Sequence, residues 1–182
     1  MLPAGASIGD EEIRWFDAST SATVEVSSAA PGFHAAALVD RRTRGEATRV
    51  AWCAARDHGE WVRLSWRDPL VVRAVTLHAV RPDAERGTRL TIDRCRVRAL
   101  RGGREVAARA IGTALSTAGT RVRFDPIEAD AIEITIERAR GTVERRAAIA
   151  LAEVVTEARL PTDADASPAG SSTRAAQRGT MR

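Results

Sequence analysis

The chain has 182 residues, of which 44% are hydrophobic and 29% charged, with a formal net charge of +4. That is enough for one domain with a sizeable core and flanking segments. It contains no Lys, Tyr or Asn, so every basic side chain apart from three His is Arg, which stays protonated at any ordinary pH and accounts for a pI near 10.6. Asp and Glu are interspersed with these arginines, and only 4% of the chain is aromatic. This is not the basic stripe with aromatic platforms of a nucleic-acid binder, and no apolar run approaches membrane-spanning length.

Residues 1–18 form a lead-in, where Asp10 to Phe16 suit a single helical turn capped by Asp10, with Trp15 and Phe16 packing onto the main body. The start, Met1 to Gly5, lacks the basic and apolar regions of a signal peptide. Either a cytoplasmic protein or a piece of a larger exported chain fits that start. From residue 19 to 160 period-2 alternation recurs, as expected for strands with one buried face. Ala22 to Ser27 alternates first. Val62, Leu64 and Trp66 then share a face opposite Trp61, Arg63 and Ser65. Asp68-Pro69 predicts a turn into a second strand, with Val71, Val75 and Leu77 in one row.

Further on, Cys95, Val97 and Ala99 alternate with Arg94, Arg96 and Arg98, and Arg101-Gly102-Gly103-Arg104 predicts a hairpin turn. Ile132, Ile134 and Ile136 alternate with Glu133, Thr135 and Glu137 in the clearest amphipathic strand of the chain. Val143 to Leu160 is rich in helix formers, with Ala147, Leu151, Val154 and Ala158 at near-helical spacing, so propensity alone predicts a helix there. Residues 161–182 hold almost nothing apolar and are expected to be a disordered tail. Cys53 and Cys95 are compatible with either one disulfide or two buried free thiols.

Taken in order, these motifs resemble the discoidin, or coagulation factor 5/8 type C, domain. The resemblance is carried by Val24-Glu25-Val26-Ser27-Ser28, then Ala35 to Asp40, Thr48, Trp52, and Glu60-Trp61-Val62-Arg63-Leu64. It continues through Val72 to Arg81, Cys95 to Ala99, Val122 to Pro126, Ala131 to Ile136, and Leu151-Ala152-Glu153-Val154. The resemblance implies an all-β, galactose-binding-like antiparallel β-sandwich over residues 19–160, of the kind used by carbohydrate-binding modules, and it overrules the helix expected after Val143. It also implies a calcium site at Asp40, Thr48 and Glu153. An Arg-rich insertion between Asp40 and Trp52 departs from the family pattern.

In such a sandwich ligands meet loops at one end. His34 and His58 are candidates to stack on a sugar face, and Arg42 and Arg56 to donate paired hydrogen bonds to hydroxyls or carboxylates. Trp52 and Trp61 are expected in the core. There is no Gly-x-Ser-x-Gly elbow, phosphate-binding Gly loop or His-Glu-x-x-His, so catalysis is not expected. The expected function is non-catalytic binding of a carbohydrate. Such a module is expected to be appended to or partnered with a larger protein; the alternatives are a structural or protein-interaction domain on the same fold and an Arg-driven binder of anionic surfaces.

Overall fold

A computed structural model describes residues 14–42, 50–162 and 165. The Asp10–Ile13 stretch, Thr48 and most of the tail lie outside these residues. Ten strands follow one another: β1 (Phe16–Asp17), β2 (Thr23–Val26), β3 (Trp52–Cys53), β4 (Glu60–His78), β5 (Arg89–Arg101), β6 (Arg104–Ile111), β7 (Thr120–Val143), β8 (Arg146–Ala147), β9 (Ala150–Leu151) and β10 (Glu153–Arg159). Two short 3-10 turns, Ser19–Ser21 and Ala35–Val39, complete the regular structure, and no α-helix occurs among the described residues. All pairings are antiparallel. The main sheet runs β1-β10-β4-β7-β5-β6, with β2 on β4 and β8 on β7, while β3 and β9 form a separate ribbon.

Two long strands build both layers of the sandwich. β4 and β7 lose register together between Ser65 and Leu70 and again between Val72 and Ala74. Before this corner β4 lies between β2 and the second half of β7; after it, β4 lies between β10 and the first half of β7. Sheets turn corners at such irregularities. The predicted Asp68-Pro69 turn is therefore a corner within one continuous strand. Pro69 sits in the unpaired stretch of that corner, where a missing N–H costs no ladder bond. The extra residue also changes which side chains face inward. Val72, Val75 and Leu77 share the core, whereas Val71 does not join it, so the expected row of Val71, Val75 and Leu77 is corrected by the bulge.

Between the layers lie Val62, Leu64, Trp66, Cys95, Val97, Ala99, Ile132, Ile134 and Ile136 from one side, and Leu70, Val72, Val75, Leu77, Val122, Phe124 and Val154 from the other. Full burial of each large aliphatic side chain contributes roughly 1.5–3 kcal/mol. Trp52 is fully buried, with its indole N–H donating to the Ser28 carbonyl at 2.8 Å. Trp61 is not a core residue: it is half-buried on the outer face, with the Arg63 guanidinium 5.2 Å over its ring. Cys53 and Cys95 are free and buried.

The helix-forming stretch after Val143 is extended. β10 pairs with β4 from Glu153–His78 to Arg159–Val71, and this tertiary pairing overrides local propensity. At the other end, Phe16 is in a strand rather than a helical turn, paired with Ala158 and partly exposed. Trp15 packs as expected, lying under the guanidinium groups of Arg73 and Arg159 at 4.2 and 5.4 Å.

Arginines cover the outer faces of the sheets in ion pairs. Glu133, almost fully buried, receives both Arg63 and Arg98. Burial alone pushes its carboxyl up, but the hydrogen bonds and charges of Arg98 and Arg63 outweigh that and hold it below the ordinary glutamate range. Glu157 is held down in the same way, first by its hydrogen bond from Arg73 and then, against burial, by Arg121.

Candidate functional site

Because β4 and β7 fold back at their corners, Glu60, His78, Thr120 and Val143 arrive at one end of the sandwich. Backbone bonds tie the connections there into a continuous rim. Ala30 N–H donates to the Cys53 carbonyl at 2.8 Å, and Ala54 N–H to the Ile149 carbonyl at 2.8 Å. Arg145 N–H donates to the Gly87 carbonyl at 3.1 Å. The rim thus joins residues 27–34, 54–59, 83–88 and 142–149.

The first part is built on a buried carboxylate. Glu60 is fully buried and accepts from Ser27 Oγ, from Ser28 Oγ at 2.6 Å and from Arg56 Nε at 2.9 Å. Burial pushes the Glu60 carboxyl up; those three donors overcome it and leave it below the ordinary range. The same serines accept backbone N–H groups, Ser27 Oγ from Trp61 at 2.9 Å and Ser28 Oγ from Ala55 at 3.0 Å. The Ser-Ser pair after β2 is thereby a clamp that fixes where the 54–59 loop leaves the sheet.

The second part is a cleft of about 390 Å³ lined by Asp83, Ala84, Gly87, Thr88, Arg89, Thr142 and Arg145. Asp83 and Thr88 pair across their turn, and Asp83 Oδ1 accepts from the N–H groups of Glu85 and Arg86, both at 3.1 Å. Opposite, β7 and β8 are joined by a two-residue hairpin, Val143 pairing with Arg146. Its central residues, Glu144 and Arg145, have φ of 48° and 66°. Such turns favour Asn-Gly because both central residues take positive φ, at a cost of roughly 1–2 kcal/mol for most other residues. Three hydrogen bonds hold the turn: Arg145 N–H to the Gly87 carbonyl, Glu144 N–H to Thr88 Oγ1 at 3.2 Å, and Thr142 Oγ1 to the Gly87 carbonyl at 2.9 Å.

The residues expected to bind ligand fall on different parts of this rim or outside it. Arg56 and His58 share the 54–59 loop. Arg56 is bound to Glu60, and His58 Nδ1 is 2.6 Å from Asp57 Oδ1, with its ring almost wholly exposed. His34 is exposed at the entrance to the 35–39 turn, on the segment that Ala30 ties to Cys53. Arg42 lies away from them, its N–H on Asp40 Oδ1 at 3.1 Å, next to Arg41, which reaches Asp17 Oδ2 at 2.8 Å. Arg89, Thr142 and Arg145 were not anticipated as site residues. The glycines at 87 and 141 were the available signal for a close approach, but neither announces which arginines line the cleft.

For calcium, Asp40 closes the 35–39 turn, which packs on β10, the strand that Glu153 opens. Among the described residues no three His, Cys, Asp or Glu side chains converge. Calcium takes six to eight oxygens, so these two carboxylates do not by themselves make a site, and Thr48 lies outside the described residues.

No family model matches the chain, and no curated protein matches it by sequence. Its fold matches solved structures. A histidine mutant of the lectin binding domain of lectinolysin, complexed with Lewis b, aligns over 80% of this chain and 97% of its own, at 17% identity and a TM-score of 0.63. A fucose binding module of Streptococcus pneumoniae aligns over 81% and 97%, at 16% identity and a TM-score of 0.61. The family 32 carbohydrate-binding module of C. perfringens NanJ, in complex with galactose, aligns over 79% and 99%, at 16% identity and a TM-score of 0.58. What these identities share is the fold, and it is the galactose-binding-like sandwich that the sequence motifs resemble.

Proposed function

We propose that this protein is a non-catalytic glycan-binding module that takes its ligand at the rim formed by residues 54–59, 83–89 and 142–145. The observation that carries this reading is the cleft of about 390 Å³ at that end, a size suited to one or two sugar rings. It combines threonine hydroxyls and one carboxylate with two arginines, on a fold shared over nearly their whole length by a lectin domain complexed with Lewis b, a fucose binding module and a carbohydrate-binding module in complex with galactose. His58, exposed on the neighbouring loop, offers a ring to a sugar face, and Arg56 and His34 extend the same rim. Arg42 stands apart from it and is assigned no ligand contact.

Glycoside hydrolysis ordinarily needs two carboxyl groups across the scissile bond. Asp83 is the one carboxylate among the residues lining the cleft, and its oxygens are engaged within its own turn. Binding without turnover is the chemistry this arrangement supports.

A glycan-array screen of the full chain tests the reading. Retention of a defined set of glycans, lost in D83A and T142A, is the expected result. No retention on any glycan, beside recovery of a single protein partner, overturns it in favour of a protein-interaction domain. Structural calcium at Asp40, Thr48 and Glu153 stays a proposal from the resemblance, and a rise in melting temperature with added calcium that D40A abolishes would support it.

A further inference from the structure

We infer that the cleft selects glycans carrying an anionic group, a carboxylate or a sulfate, and that Arg89 and Arg145 are the residues that recognise it; this rests on the glycan-binding reading above. Most arginines on the sheet faces are already paired: Arg63 and Arg98 with Glu133, Arg96 with Glu105, Arg138 and Arg140 with Asp93. Arg89 and Arg145 line one cleft and have no carboxylate within ion-pair distance among the described residues. Asp83, the acid lining the same cleft, is not paired with either of them. Asp83 Oδ1 is taken by two backbone N–H groups, and Oδ2 faces Arg86 Nε at 3.7 Å. Glu144, next in sequence to Arg145, lies close enough to Cys53 to raise its thiol pKa, after the larger effect of burial.

Arg145 is exposed, but its backbone and the start of its side chain are fixed against the cleft wall. Its backbone sits in the left-handed region and is fixed by the bond to Gly87, while its side chain lies along Gly87, where a β-carbon would meet Arg145 Cγ at 2.4 Å. The absent side chain at Gly87 is what lets the arginine stem lie flat across the cleft wall. A guanidinium on a fixed stem, with no internal counter-ion, gains most from a planar or tetrahedral oxyanion that takes two parallel N–H bonds. Neutral sugars leave that charge unmatched.

The test is calorimetric titration of the full chain with three probes: a galacturonic-acid oligosaccharide, a sulfated galactose oligosaccharide and the neutral galactose oligosaccharide of equal length. At least tenfold tighter binding of one anionic probe than of the neutral one is expected, and which probe wins identifies carboxylate or sulfate. R145Q and R89Q should each bring the anionic-to-neutral ratio towards one, R145K should retain part of it, and unchanged melting temperatures show that the variants fold. Neutral binding as tight as anionic, or a ratio that survives both Gln variants, overturns this inference and leaves the glycan reading standing. Binding of none of the three overturns it together with that reading if the glycan array is also blank.

Discussion

A β-carbon placed on Gly141 would lie 1.8 Å from the carbonyl oxygen of Arg89, the neighbouring strand's backbone. Gly141, at φ +117°, pairs with Leu90 of β5 and precedes Thr142, which lines the cleft. G141A must both accept a conformation that costs a non-glycine residue roughly 1–2 kcal/mol and push two paired strands apart. A loss of about 3 kcal/mol, or roughly 6–12 °C in melting temperature for a domain of this size, is expected. G112A is the control, since nothing lies within 4 Å of its β-carbon and its φ is not in the left-handed region. Equal melting temperatures for the two variants would refute the argument.

The carboxylates under the arginines make stability depend on pH in one direction. Glu60, Glu133 and Glu157 all titrate below the ordinary value of 4.5 in the folded protein. Each binds fewer protons folded than unfolded, so its contribution is complete above about pH 4.5 and is lost as pH falls through its folded value. The melting temperature should therefore be flat near neutrality and fall as the pH drops below about 4.5. E133Q should lower stability at pH 7 by about 2 kcal/mol, because Arg63 and Arg98 lose the carboxylate they share while keeping partial access to water. It should also flatten the acid limb. An acid limb identical to that of the parent would remove Glu133 from this account.

Much of this fold could be read from the chain because its signals are local. Ile132, Ile134 and Ile136 alternate with polar neighbours and are buried. Gly102 and Gly103 both take the positive φ that a two-residue hairpin turn requires. What escaped is non-local or breaks a local rule. The corner in β4 moves the inward row from Val71 to Val72, and a bulge leaves no mark in an all-apolar run. The Glu144–Arg145 turn contains neither Gly nor Asn, so it reads as helix rather than hairpin. Arg89 and Arg145 are distant in sequence and line one cleft only because β5 pairs with the far end of β7. Arg56 and His58 were legible as loop residues, but the buried acid that anchors Arg56 lies inside an apparently ordinary strand start.

The two thiols should be silent in the folded protein. Cys95 is fully buried, and burial, helped by Glu137, pushes its thiol up to about 12, while Cys53 is raised by burial and then by Glu144. Reaction needs the thiolate and access to it. At pH 8 a chromogenic disulfide reagent should find no fast-reacting thiol in the native chain and two after denaturation. One thiol reacting at the rate of free cysteine in the native protein would contradict the packing around β3 or β5.

Glu60 is the residue on which the 54–59 loop depends. Its carboxylate gathers two hydroxyls and one guanidinium with no exposure to water, whereas Arg56 is 61% exposed and contributes as a surface cation. The two ends of this ion pair should therefore be unequal. E60Q puts an amide N–H₂ where three donors converge and leaves at least one of them unmatched, for an expected loss of about 2–3 kcal/mol. R56Q leaves both serine bonds in place and should cost under about 1 kcal/mol. Limited trypsinolysis gives a second, local readout. Cleavage after Arg56 should accelerate in E60Q more than its change in global stability predicts, because the clamp that fixes the loop to Ser27 and Ser28 is gone. A larger loss in R56Q than in E60Q, or loop cleavage unchanged in E60Q, would show that the loop is held by something other than this carboxylate.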